Sequence, residues 1–158
     1  MTEITVLRAV TFAAVFVALL VAHSVGDHWA QTNHQARHKA APGRAGRLAC
    51  LRHVATLTLT KLSALGALLL VTGLRPSPLY VAAGLLADAA SHYWADRRTT
   101  LAWLAEKVGK GEFFRMGLPR PGHDDAPHLG TGRYALDQSW HHAWLFVTAL
   151  IIAAGANG

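Results

Sequence analysis

The stretch "LYVAAGLLADAASHYWADRR", residues 79–98, decides how the rest of the chain reads. Apolar residues fill its first half, and Asp88, His92 and Asp96 then follow at intervals of four. That spacing stacks three polar side chains on one face of a helix. A wet helix carries such a stripe without consequence. The alanines and leucines around this one predict a helix in apolar surroundings.

Working outward, the same segregation of charge recurs. The 158-residue chain is 52% hydrophobic and only 15% charged, against roughly 25% charged in ordinary soluble domains. From Ala9 to Gly26, and again from Gln138 to Gly158, there is no Asp, Glu, Lys or Arg. Between Arg52 and Asp96 only Lys61, Arg75 and Asp88 interrupt. A bilayer core takes about 20 mainly apolar residues per helix. Four stretches meet that need, at about 4–26, 50–73, 78–96 and 134–155. The expectation is an all-α protein, a single integral membrane domain over 1–158. Its four transmembrane helices form a bundle, and the lipid bilayer is its first partner. A secretory signal over 1–22 is the alternative for the first stretch, but Arg8 alone, behind Glu3, makes a weak positive region.

The net charge of +6 invites a nucleic-acid reading, and topology accounts for it better. Twelve of the fifteen Lys and Arg fall in two segments, Arg37 to Arg52 and Arg97 to Arg133, while Arg8 and Arg75 lie on the other side and Lys61 within a helix. Such a bias places basic loops in the cytoplasm. It predicts cytoplasmic loops at 32–49 and 99–133, both termini outside, and no nucleic acid as partner. All five Trp (29, 94, 103, 140 and 144) fall near the basic side, as an interfacial belt would. The single Cys50 excludes an internal disulfide.

Between helices 3 and 4, "TTLAWLAEKVGKGEFFRMG" puts Leu101, Leu104, Ala105 and Val108 on one face. This predicts an amphipathic helix lying along the membrane surface, with an ordinary soluble connecting helix as the alternative. The loop "GLPRPGHDDAPHLGTG" follows, and its His123, Asp124, Asp125 and His128 read as a solvated run or as extra ligands from above.

Antiparallel helices bring the end of helix 1, the start of helix 2, the end of helix 3 and the start of helix 4 to one side. The polar residues gather there. Helix 1 ends with His23, Asp27 and Gln31 at intervals of four, helix 2 opens with His53, and helix 4 opens with Asp137, Gln138 and His141. Ionisable groups within membrane helices face the bundle interior and mark function. Imidazole with carboxylate suits zinc, iron or manganese, and bundles build such sites from i, i+4 pairs on facing helices. The expected ligands are His23, Asp27, His92, Asp96, Asp137 and His141, holding one or two divalent ions, zinc first. Gln31, His53 and Gln138 are expected at the rim as hydrogen-bond partners. A hydrogen-bonded polar core without metal is the plainer alternative. Lys61 lies eight residues below His53 as Asp88 lies eight below Asp96, which predicts a buried Lys61–Asp88 ion pair. His28, His34, His38 and His142 fall off the stripes and are expected at the interface.

These motifs resemble a family of small bacterial polytopic membrane proteins known as domain of unknown function 3307. Its pattern of His-x-x-x-Asp-x-x-x-Gln closing the first helix is matched by His23, Asp27 and Gln31, and its His opening the second by His53. His92, Asp96 and Arg97 match a later His-x-x-x-Asp followed by a basic residue, and Leu136, Asp137, Gln138 and His141 match a final "LDQxxH". The resemblance implies a multi-pass protein of the bacterial inner membrane and names no reaction. More distantly, the layout is similar to inner-membrane proteins described as metal-dependent hydrolases. Lys61 and the loop 99–133 lie outside the pattern.

Three function classes follow. The first is a metal-dependent hydrolase acting on a lipid or amphiphilic substrate at the interface. The second is a structural or regulatory membrane module with a polar or metal-stabilised core. The third is an ion or proton transporter, which with four helices would need a homo-oligomer. No Gly-rich phosphate loop, Ser nucleophile motif or HExxH is present.

Overall fold

A computed structural model describes residues 2–119, 122 and 130–156. Seven α-helices and one π-helical turn make up the described chain: α1 (Glu3–Val25) running into the π turn (Gly26–Ala30), α2 (Asn33–His38), α3 (Gly43–Thr72), α4 (Pro78–Asp96), α5 (Thr99–Lys107), α6 (Gly111–Arg115) and α7 (Gly132–Ala154). No strand occurs among the described residues; one isolated bridge, Pro76 to Ala156, ties the α3–α4 turn to the end of α7.

Local chemistry sets these limits. The Thr2 hydroxyl accepts from the Thr5 amide at 3.3 Å and caps α1. In α2, the Thr32 amide donates to Gln35 Oε1 (2.8 Å) while the Gln35 amide donates to the Thr32 hydroxyl (3.2 Å), a reciprocal cap. α3 ends where Gly73 takes φ 71°, a left-handed conformation that glycine adopts without a Cβ penalty. Pro78 opens α4, where a missing amide costs no intrahelical bond.

The four long helices close into a ring: α1 packs on α3 and α7, and α4 packs on α7 and α3. Val15, Leu19, Leu65, Leu85, Leu145, Ala149 and Ile152 fill the centre, with Phe12 and Phe16 set against it. α4 and α7 approach closely. A Cβ on Gly84 would meet Thr148 O at 3.2 Å, and the Thr148 hydroxyl donates to Gly84 O at 3.3 Å. The outer faces are also apolar: Val17, Val21, Leu59, Leu70, Leu79 and Leu86 are all more than half exposed.

Two helices, Glu3–Ala30 and Gly43–Thr72, are long and apolar enough to cross a membrane. α4 and α7 span the expected segments but carry the polar stripes, which lower their hydropathy. Several expectations are corrected. α3 starts at Gly43, ahead of the start expected near Leu48, and the expected loop 32–49 holds α2 and the first turns of α3. The single surface helix expected after residue 99 is two helices, parted at Gly109 with φ 72°. Its Leu101 and Ala105 are buried against Phe114, whereas Val108 is exposed. Among the Trp residues, Trp29 and Trp103 are exposed, whereas Trp94 and Trp140 are half-buried and stack at 4.8 Å, with Trp140 Nε1 donating to Ser91 Oγ at 2.9 Å.

Candidate metal centre

The four polar stripes meet at one end of the bundle. α1 ends in the π turn, whose wider ring is closed by the Gln31 amide donating to Gly26 O at 3.0 Å. Such turns shift the register of side chains and recur at functional sites. Here the turn follows His23 and carries Asp27 inward; the Asp27 side chain is 8% exposed. Gly26 permits the close approach to α3, because a Cβ there would run into the Leu57 side chain.

His53, in the third turn of α3, is fully buried at the centre of this end. Its Nε2 lies 3.0 Å from His92 Nε2, 3.1 Å from Asp27 Oδ1, 3.1 Å from Asp96 Oδ2 and 3.2 Å from Lys39 Nζ. His92 Nε2 is in turn 3.2 Å from Asp96 Oδ2 and 3.9 Å from Asp27 Oδ1. One ring nitrogen offers either one proton or one lone pair, so these groups leave one another partly unsatisfied. Asp27 Oδ1 and Asp96 Oδ2 are buried without an aligned hydrogen bond among the described residues, as is His141 Nε2. Buried polar atoms of that kind are costly unless something pairs with them.

A divalent cation fits the arrangement. Tetrahedral zinc with bonds of about 2.0–2.1 Å sets its ligand atoms about 3.3 Å apart. The five separations given above from His53 and His92 to one another and to Asp27 and Asp96, from 3.0 to 3.9 Å, scatter around that edge. Two overlapping buried triads, Asp27–His53–His92 and His92–Asp96–His141, each have ligating atoms within 4.8 Å of one another.

The other expected residues take flanking places. His53, expected at the rim, instead sits in the middle. His23 is buried, 3.5 Å from Asp27 Oδ2, with its ring 5.1 Å from that of His141. His141 lies 4.0 Å from Asp96 Oδ1 and 3.6 Å from Asp137 Oδ1. Asp137 is the outermost, with its side chain 23% exposed. Gln138 Nε2 donates to Asp137 Oδ2 at 3.4 Å, and Gln31 Nε2 turns back to the Asp27 carbonyl. Eight residues deeper, Lys61 Nζ donates to Asp88 Oδ2 at 2.5 Å in a buried pair. His28, His34, His38 and His142 are exposed, and His123, Asp124, Asp125 and His128 lie outside the described residues.

Two further participants were not expected at the site, although Arg97 belongs to the family pattern of a basic residue after His-x-x-x-Asp. Lys39 Nζ stands 3.0 Å from Asp96 Oδ1, although as a charge between helices it reads as topology alone. Arg97 donates to the carbonyls of Lys39 and Ala41, both at 2.6 Å, and so fastens the α2–α3 connection over the cluster. Its place directly after Asp96 was the available hint.

Over residues 15–157 the chain matches, and therefore belongs to, the family described as protein of unknown function (DUF3307). No curated protein and no solved structure matches it at a significant level.

Proposed function

We propose that this is a multi-pass membrane protein, a four-helix transmembrane bundle that holds a single divalent transition ion, zinc first, and hydrolyses an amphiphilic ester at the cytoplasmic interface. One observation carries the reading. His53 Nε2 has four polar neighbours within 3.2 Å, and two buried imidazoles with two buried carboxylates at this spacing are a ligand set that one divalent cation would draw together. The exposed apolar outer faces and two span-length helices support the bilayer setting, and the Lys/Arg bias supports termini outside.

His53 and His92 would offer Nε2, and Asp27 and Asp96 a carboxylate oxygen each. The ion, when bound, lowers the pKa of a coordinated water toward neutrality. His141 is placed to take a proton: its Nε2 has no hydrogen-bond partner among the described residues and adjoins Asp96. Asp137, 3.6 Å away and partly exposed, can pass that proton outward. His23 backs the carboxylate of Asp27 and fixes its orientation.

The second reading, a polar core that only holds the helices together, draws on Lys39, whose ammonium already lies against Asp96 and His53. Elemental analysis of detergent-purified protein separates the two. Near-stoichiometric zinc, and chelator-sensitive cleavage of amphiphilic esters, are expected. Folded protein free of metal after growth in zinc would overturn the proposal.

A further inference from the structure

A cavity of about 490 Å³ opens directly onto the His/Asp cluster, since Asp27, Lys39 and Asp96 belong to its wall. The rest of the wall includes two guanidinium side chains, Arg98 and Arg133, together with the Tyr134 hydroxyl and the Gln138 amide. The acidic groups of the wall are already engaged. Asp27 and Asp96 both approach His53 at 3.1 Å, Asp96 also takes the Lys39 ammonium, and Asp137 lies 3.6 Å from His141. Arg98 and Arg133 come from different elements and repel one another. Burial first and then the nearby Arg98 charge lower the pKa of Arg133, and the Asp137 carboxylate offsets only part of that, so a net need for negative charge remains between the two arginines.

The chain also accepts strain to put Arg98 there. Arg98 takes φ 57° and ψ −42°, the sole non-glycine with positive φ among the described residues. It sits at the junction where α4 ends and α5 begins, with its carbonyl accepting from the Ala102 amide at 2.8 Å. A bulky side chain in such a conformation is strained and persists only where the surrounding structure holds it, and such residues cluster at functional sites. A left-handed junction alone would favour glycine.

We infer that this cavity binds the phosphate group of an anionic phosphoester, with Arg98 and Arg133 as its clamp. The inference rests on the cluster being a metal centre that attacks an ester, and it names the substrate class. Guanidinium forks match phosphate oxygens two at a time, and a tetrahedral dianion offsets the repulsion between the two arginines. Because the same wall carries Asp27 and Asp96, a phosphate held by the two arginines would share the cavity with the proposed ion. Water adds to phosphorus, the bond to the alcohol oxygen breaks, and the departing alcohol takes up the proton. The shared chemistry is the phosphate itself, whether on a lipid headgroup or free in solution.

The test uses full-length protein in a neutral detergent, treated with chelator so that no metal binds the probe. Thermal shift and titration calorimetry are run with inorganic phosphate, dihexanoyl phosphatidic acid and octanoate. Both phosphate probes are expected to raise Tm, and Arg98→Gln or Arg133→Gln to weaken their binding at least about tenfold, the loss of one charge-assisted pair. Protection by the phosphatidic acid alone assigns the site to a lipid headgroup, and equal protection assigns it to the phosphate moiety. No protection by either probe, protection by octanoate just as strong, or affinity unchanged in folded glutamine variants would overturn the inference. If a glutamine variant does not fold, Arg98→Lys and Arg133→Lys decide, because they keep the charge and lose the fork; unchanged affinity in both overturns the clamp. Zinc bound without phosphate protection defeats this inference and leaves the metal reading standing. Phosphate protection in a protein that never takes up zinc does the reverse.

Discussion

His53 and His92, 39 residues apart on antiparallel helices, bring their Nε2 atoms to 3.0 Å of one another. Two imidazole nitrogens at that distance share one proton at best, and both also face Asp96 Oδ2. The two rings therefore stand or fall together as ligands. His53→Ala and His92→Ala are each expected to lower bound zinc to below about a tenth of the wild-type content, since each removes one of four ligands. His34→Ala, on an exposed face, is expected to change nothing. Elemental analysis of size-exclusion peaks reads this directly. Retained zinc in His53→Ala would remove it from the ligand set and return it to a rim role.

The buried Lys61–Asp88 pair makes a separate stability prediction. Neither side chain is more than 5% exposed, and the contact is 2.5 Å. Removing one partner leaves a charge alone in an apolar interior, so Lys61→Met is expected to destabilise the bundle by roughly 3–5 kcal/mol. The double variant Lys61→Met/Asp88→Leu is expected to regain much of that, because no uncompensated charge is left. Unfolding in graded denaturing detergent measures both. A double variant as unstable as the sum of the single ones would mean the two charges do not depend on each other.

The Lys61–Asp88 register was legible in the sequence because it needs only helix rise and an antiparallel turn. Gly73 and Pro78 mark that turn, and α4 spans the 78–96 expected of it. The convergence of His92, Asp96, Asp27 and His141 was legible for the same reason. The depth of His53 was not. With a helix start expected near Leu48, His53 reads as a rim residue, whereas α3 begins five residues earlier at Gly43 and carries it into the interior. The π turn at Gly26–Ala30 was hidden because side-chain periodicity does not encode a change of backbone hydrogen-bond register. It breaks the expected His23, Asp27, Gln31 stripe after Asp27, and Gln31 folds back on the backbone. The Arg98 and Gly109 conformations that set α5 and α6 are likewise invisible to hydropathy.

The proposed topology is checked by cysteine labelling. Arg75 and Glu112 are exposed and lie at opposite ends of the long helices, one in the α3–α4 turn and one in α6. In a Cys50→Ser background, Arg75→Cys is expected to react with a membrane-impermeant maleimide on intact cells, and Glu112→Cys only after lysis. The charge bias of twelve against two motivates this order. The opposite order would invert the protein and move the His/Asp cluster to the outer face.

Lys39 decides between a metal centre and a polar packing core. Its ammonium lies 3.0 Å from Asp96 Oδ1 and 3.2 Å from His53 Nε2, where it competes with a metal ion for the same carboxylate and the same lone pair. Arg97 holds the backbone of Lys39 in place, so the ammonium does not reach the cluster by chance. Two like unit charges about 4 Å apart repel by about 4 kcal/mol at an effective dielectric near 20. Even a quarter of that, doubled for a divalent ion, exceeds the 1.4 kcal/mol that makes a factor of ten. Lys39→Met is therefore expected to bind zinc at least about tenfold more tightly than wild type, read by competition with a chromogenic chelator. If the ammonium instead serves to neutralise a metal-free core, Lys39→Met loses thermal stability and gains no zinc, and Asp27 and Asp96 then act as packing groups held by a lysine.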